Sequence, residues 1–116
     1  MVKFDNVKFE IERRRCVIIF LIDGDLIITN SQNIQNVIDK EIEKGKEKVI
    51  FDFQKIGYID SFGIGIIVKT KSALDKRKRM MAVIVNKSTR RLFEKCHLDE
   101  HINLFDNEEK AFNYLK

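Results

Sequence analysis

The chain of 116 residues contains no proline, only five glycines and only two cysteines. Average usage would give about six prolines, so their absence excludes polyproline linkers and Pro-rich recognition tails. So few glycines leave no flexible linker. Cys16 and Cys96 are far apart and lack C-x-x-C spacing, which excludes a disulfide framework and a zinc ribbon and points to a reducing compartment. Long apolar runs are missing as well. The longest, residues 16–22, falls far short of the roughly 20 residues of a membrane span, and the first ten residues mix charges with apolar side chains. The expectation is a cytoplasmic protein with no targeting segment and no membrane contact.

What is present suits one folded unit. At 44% hydrophobic and 34% charged, the chain has enough apolar mass for one core, so a single domain over residues 1–116 is expected. The 22 Lys and Arg against 18 Asp and Glu leave a net charge of +4, a mildly basic surface. Residues 16–22, 49–53 and 80–85 are apolar at nearly every position and rich in β-branched or aromatic side chains, the pattern of strands buried on both faces in a sheet with parallel pairing. Residues 7–11 alternate apolar and polar and suit an edge hairpin leading into the first central strand; residues 102–105 suit a short last strand.

Helical periods lie between these runs. Ile34, Val37, Ile38 and Ile42 follow a polar Thr29-Asn30-Ser31 start, with a stop near Gly45. Ser88 can cap a short helix bearing Leu92, Phe93 and Cys96, and Asp106 with Glu109 has capping-box spacing before the last helix. A middle helix covers about residues 61–77. The resulting order, β-β-α-β-α-β-α-β-α, is an open α/β sheet with right-handed crossovers expected between its parallel strands.

The start of the middle helix carries the chemistry. After strand 49–53 and a turn at Gly57, Asp60 and Ser61 fall at the carboxyl edge of the sheet, where ligands and partners of open α/β sheets bind. They also fall at a helix amino terminus, whose unpaired N–H groups favour an anion, so a phosphate on Ser61 could be held there. Asp or Ser in this place also serves as a plain N-cap. Gly63 and Gly65 each cost about 1 kcal/mol relative to Ala in a helix. Two reasons offset that cost: close approach of a partner, or packing on a neighbouring strand. On a helical wheel advancing 100° per residue from Ile66, Gly63, Ile66, Ile67, Thr70, Ala73 and Leu74 span about −20° to 100°, a core face. Ile64 and Val68 lie near 160° and 200°, on the opposite side, and Phe62 sits at the margin near −40°. That apolar stripe is either a partner surface or is covered by another helix.

At these residues the sequence resembles the bacterial STAS-domain anti-sigma factor antagonists. Their pattern, Asp-Ser, a small residue, then Gly-Leu-Gly between a buried strand and a helix, reads here as Asp60-Ser61-Phe62-Gly63-Ile64-Gly65. Gly24-Asp25-Leu26 is similar to the family's Gly-Glu/Asp-Leu turn, and Ser88 to Phe93 with Cys96-His97-Leu98 is similar to its late helix and turn. The resemblance implies a STAS fold, a mixed central β-sheet with an N-terminal hairpin followed by alternating βα units. It implies a regulator rather than an enzyme: a protein, monomeric when free, that binds an anti-sigma factor which is also a serine kinase and so releases a sigma factor for transcription. Ser61 is then the phosphoacceptor whose modification weakens binding, and a serine phosphatase restores it. Asp60 orients the turn, and Asp25, Thr29, Asn30, Asp60, Phe62, Gly63, Ile64, Gly65 and Val68 form the contact region. Two positions depart from the pattern: Phe62 replaces a small residue, and Ile27 replaces an acid. An alternative within the fold is an interaction module of another bacterial signalling complex that works without phosphorylation.

Other constellations give weaker signals. Basic residues at Arg13 to Arg15, Lys76 to Arg79 and Arg90-Arg91 could meet nucleic acid or an anionic membrane, yet aromatic interleaving and any nucleic-acid signature are missing, so no direct nucleic-acid contact is expected. Cys96, His97, Asp99 and His101 are close in sequence, but zinc needs at least three converging ligands and this segment follows a helix end. Ser61 has no sequence-adjacent base to activate it, and there is no phosphate-cradling glycine fingerprint, so neither catalysis nor a cofactor or metal is expected.

Overall fold

Strands that are apolar at every position need cover on both faces, and the three richest runs form the centre of one mixed seven-stranded sheet. The computed structural model describes residues 2–116. An amino-terminal hairpin, β1 (Val2–Phe4) and β2 (Val7–Arg14), leads to β3 (Val17–Leu26) and α1 (Ile28–Glu43). There follow β4 (Lys48–Phe53), β5 (Ile56–Ile59), α2 (Ser61–Lys76), β6 (Met81–Val85), α3 (Lys87–Lys95), a 3-10 turn at Leu98–Glu100, β7 (Asn103–Phe105) and α4 (Glu108–Leu115). The strand order is β1-β2-β3-β4-β6-β7, antiparallel through β3 and parallel beyond it. β2 pairs with β3 along its whole length. On the other edge, β4 pairs with the first half of β3 and β5 with the second.

Period-two alternation divides the core. Ile18, Phe20 and Ile22 of β3, Val49, Phe51 and Phe53 of β4, and Met81, Val83 and Val85 of β6 pack under α1, α2 and α3, against Ile34, Ile38, Ile66, Ile67, Leu74 and Phe93. The intervening Val17, Ile19, Ile50, Ala82 and Ile84 meet Ala111 and Leu115 of α4 on the opposite face. Five phenylalanines run across the sheet beneath the three helices, in the order Phe4, Phe9, Phe20, Phe51, Phe53, and Phe93 of α3 ends the row, with neighbouring centroids 5.4 to 6.4 Å apart. Such spacing lies in the range of favourable offset and edge contacts.

Several boundaries differ from the sequence expectations. Gly24-Asp25-Leu26, read as a turn, continues β3. Gly24 adopts φ +121° at a register irregularity where a Cβ would meet Asn6 O at 2.3 Å, and the amide of Asp25 donates to Asn6 O at 2.8 Å. The segment around Gly57, also read as a turn, is β5, only four residues long and held partly by Tyr58 N donating to the Asp25 carboxylate at 2.8 Å. β2 is not the edge, because β1 pairs outside it. The third helix is capped by Asn86 instead of Ser88: the Asn86 side chain accepts from Thr89 N and donates to the carbonyls of Phe53, Gln54 and Ile56. Asn107 rather than Asp106 caps α4, because Asp106 is paired with Arg90.

At the amino ends of the parallel strands, Arg79 donates to the carbonyls of Ile42, Gly45 and Glu47 and closes the carboxyl end of α1. Burial there pushes the Arg79 pKa down. Arg13 beside Glu47 and Glu41 is pushed up. The hydrogen bonds from Arg13 and Lys44 hold those carboxyls below their usual value of 4.5. Asp52, half-buried on β4, behaves oppositely, since desolvation raises its pKa from 3.8.

Two outcomes test this core. Phe51→Ala, which interrupts the aromatic row, should cost about 3–5 kcal/mol in urea unfolding. A raised carboxyl pKa means that the folded state prefers the proton, so Asp52 contributes more stability below the usual 3.8 and loses it as pH rises through its folded value. Asp52→Asn should therefore be more stable than wild type at pH 7 and lose that advantage near pH 3, as read from unfolding curves at both pH values.

Candidate functional site

Asp60 stands between β5 and α2 in an extended conformation (φ −102°, ψ −173°), as an N-cap must. Its Oδ1 accepts from Phe62 N at 2.9 Å and Gly63 N at 3.0 Å. Its Oδ2 reaches the first residue of the other helix and accepts from Ile28 N at 3.0 Å. One carboxylate thus satisfies backbone donors at the amino termini of both α1 and α2. Asp60 N in turn donates to Leu26 O at 3.2 Å, tying the same joint to the end of β3.

This geometry corrects the expectation of an open anion site. The amides of Phe62 and Gly63, which would have received a phosphate, are already occupied by Asp60. Ser61 occupies the first helical position and is exposed. An anion on it would adjoin a carboxylate.

The two glycines separate into two roles. A Cβ on Gly63 would meet Leu26 O at 2.4 Å and Ile59 Cγ1 at 2.7 Å, so Gly63 lets the first turn of α2 lie against the end of β3. Nothing lies within 4 Å of a Cβ on Gly65. No neighbour within the protein requires that glycine.

Around Ser61 the surface is apolar. Phe62 is 53% exposed and Val68 46%, while Ile64 is half-buried against the edge of the core. Neither Phe62 nor Val68 is covered by another helix. Two residues that carried no signal in the sequence are also exposed: Ile28 at the start of α1, 59%, and Tyr58 on β5, 69%, the latter in a groove with Ser88, Leu92 and Lys95 of α3. Ile28 ends the apolar stretch Leu26-Ile27-Ile28 ahead of the polar Thr29-Asn30-Ser31, and Tyr58 lies in a strand too short for its alternation to stand out.

The remaining candidates divide between surface and interior. Thr29 is exposed and Asp25 half-buried, with its Oδ1 engaged by Tyr58 N. Asn30 is 1% exposed. Its side chain accepts from Ile27 N and donates to the carbonyls of Asp5 and Asp25, so it ties the start of α1 to the β1–β2 turn from within and is not a surface contact. The basic clusters are engaged in part. Arg13 pairs with Glu41 and Glu47, Arg14 with Glu12 and Glu108, and Arg90 with Asp106. Among the described residues, no three His, Cys, Asp or Glu side chains converge as metal ligands, and no helix is long and apolar enough to cross a membrane.

The sequence model of the STAS domain matches residues 8–111. The chain is 26% identical over 113 residues to the anti-sigma F factor antagonist of Paenibacillus polymyxa, spanning 96% of this chain and 97% of that protein. Among solved structures, it resembles an anti-sigma factor antagonist from Mycobacterium paratuberculosis with a TM-score of 0.88 at 17% identity, over 99% of this chain and 98% of that one. It also resembles the Bacillus cell fate determinant SpoIIAA in its phosphorylated form, with a TM-score of 0.73 at 20% identity, over 94% and 100% of the two chains. At these identities the structural likenesses establish the fold, which is the one the sequence resemblance implied.

The joint itself can be tested by stability. Asp60→Asn should cost about 1–2 kcal/mol although Asn is a good N-cap, because its amide nitrogen would face the Ile28 N–H that Oδ2 now satisfies. Gly63→Ala should also destabilise. Gly65→Ala should stabilise by up to about 1 kcal/mol, each change being read from denaturant midpoints.

Proposed function

This chain belongs to the STAS domain family, and from that premise we propose that it is an anti-sigma factor antagonist, switched by phosphorylation of Ser61. The observation that carries this reading is the exposed hydroxyl of Ser61 at the first position of α2, set among open apolar side chains with its neighbouring helix donors already taken by Asp60.

In the unmodified state the apolar surface of Phe62, Ile64 and Val68 docks on the anti-sigma factor. Full burial of one such side chain contributes about 1.5–3 kcal/mol, and the bare backbone at Gly65 lets the partner approach the helix closely. Binding sequesters the anti-sigma factor and leaves the sigma factor free. Thr29 and Asp25 lie at the margin of this contact region.

The switch follows from charge. The partner, acting as a kinase, presents bound ATP as the phosphoryl donor. The Ser61 Oγ forms a bond to the γ-phosphorus as the bond from that phosphorus to the β–γ bridging oxygen breaks, ADP leaves with the electron pair, and the hydroxyl proton passes to a base of the kinase or to water. The new group carries roughly −1.5 to −2 charges. With the Phe62 and Gly63 amides engaged, it adjoins the Asp60 carboxylate and projects into a surface that must shed water to bind. Repulsion and desolvation then both oppose docking. Hydrolysis of the phosphoester by a serine phosphatase restores the apolar surface.

Incubation with the anti-sigma factor kinase of the same genome and ATP, followed by peptide mass spectrometry, should place one phosphate on Ser61. Ser61→Ala should bind that kinase like the wild type but resist modification, whereas Ser61→Asp should bind at least about tenfold more weakly, a loss of about 1.4 kcal/mol. Modification at another residue, or equal affinity for all three proteins, contradicts the switch.

A further inference from the structure

We propose that the groove between β5 and α3 is a second docking site for the anti-sigma factor, and that it takes a segment of that partner whose carboxylates flank an apolar side chain. This deepens the proposed function and rests on it. The groove has a volume of about 440 Å³, with Tyr58 on one wall and Ser88, Arg91, Leu92 and Lys95 on the other. Those four positions of α3 follow an i, i+3, i+4, i+7 spacing and so share one helix face. The two walls are fixed to each other. Asn86 caps α3 by accepting from Thr89 N at 2.8 Å, and the same side chain donates to Ile56 O, at the start of β5, at 3.2 Å. Tyr58 N is held in turn by the Asp25 carboxylate at 2.8 Å. A partner therefore has little backbone to order when it binds here.

Charge and apolar surface together set the occupant. Two of the lining residues are cations and none is an acid. Arg91 and Lys95 are exposed, and among the described residues neither enters a salt bridge, whereas the adjacent Arg90 pairs with Asp106. Two uncompensated cations one helical turn apart suit carboxylates, and the Arg91 guanidinium can grip one through two parallel hydrogen bonds. The same groove carries apolar surface, since Tyr58 is 69% exposed and Leu92 half-buried. A purely acidic segment would leave that surface wet, and a purely apolar one would leave both cations unpaired. The groove also adjoins the Ser61 edge: Ile59 lines it, and Ile59 Cγ1 would lie 2.7 Å from a Cβ on Gly63 in the first turn of α2. One partner can therefore cover both surfaces at once.

Titration calorimetry with the anti-sigma factor encoded in the same genome tests this. Because Tyr58, Arg91 and Lys95 are exposed, Tyr58→Ala and the double variant Arg91→Glu, Lys95→Glu should melt as the wild type does. The double variant should lose at least about tenfold in affinity at about 50 mM salt, and that loss should shrink to within about threefold at about 500 mM. Tyr58→Ala should lose about tenfold at both. Lys46→Glu with Lys78→Glu changes the net charge equally, at exposed cations in the loops before β4 and β6, and should stay within about twofold of the wild type. Suppose Ser61→Asp weakens binding while the groove variant stays within twofold, or the control pair loses as much as the groove pair. The groove assignment then fails and the antagonist reading stands. Binding of phosphatidylserine vesicles or duplex DNA that the groove variant loses, with its affinity for the anti-sigma factor unchanged, also overturns the assignment. Wild-type protein that does not bind the anti-sigma factor overturns both.

Discussion

The carboxylate of Asp60 accepts from backbone amides of two different helices, and the arrangement around Ser61 depends on that. With Oδ1 on Phe62 and Gly63 and Oδ2 on Ile28, the amino termini of α1 and α2 are fixed to each other and, through Asp60 N, to the end of β3. Charge-assisted bonds to helix N-terminal amides are among the stronger local contacts available, since they meet both unpaired donors and the positive end of the helix dipole. The consequence for function is indirect. Asp60 spends its oxygens inside the protein and so acts as a positioning residue. It sets where Ser61, Phe62 and Ile28 stand, and it removes the amides that would otherwise neutralise a phosphate.

The site is accordingly built from within. Gly63 permits contact between α2 and Leu26, Asn30 ties the start of α1 to the turn before β2, and Asp25 fastens the short β5. What these constraints leave outside is a set of side chains with little internal role: Ser61, Phe62, Val68, Ile28 and Tyr58, with Gly65 as bare backbone. A fold that exposes large apolar groups on a rigid base forgoes their burial until a partner arrives. In the proposed switch, the unmodified protein gains that burial on docking, whereas the phosphorylated protein has to gain it while desolvating a dianion.

Elements with strong periodicity were legible from sequence. The runs in β3, β4 and β6, the faces of α1 and α2, and the hairpin entry follow from patterns of two and 3.6 residues and differ only at their ends. Elements that rest on single side chains were not. β5 has four residues and pairs with β3 through an irregular register, Gly24 bends inside a strand in place of ending it, and Asn86 and Asn107 took the capping roles of nearby Ser88 and Asp106, Asn86 because its amide also reaches three carbonyls and Asn107 because Asp106 is paired with Arg90. At the site, the sequence placed Asp60, Ser61 and the two glycines at the start of the middle helix, where the structure has them. It could not tell that Gly63 serves packing while Gly65 does not, nor that Asn30 is buried, because those distinctions depend on Leu26, Ile59, Asp5 and Asp25, remote in sequence and adjacent only in the fold.

The central claim is that the Ser61 edge, held by Asp60, is the surface that meets the anti-sigma factor. Amide hydrogen exchange on the complex with that factor tests it most directly, because protection maps the contact without altering a residue. The account predicts new protection at residues 28–29 and 58–68, absent after Ser61 is phosphorylated. Protection confined to α4 or to the basic end around Arg13 to Arg15 and Lys76 to Arg79 would contradict it.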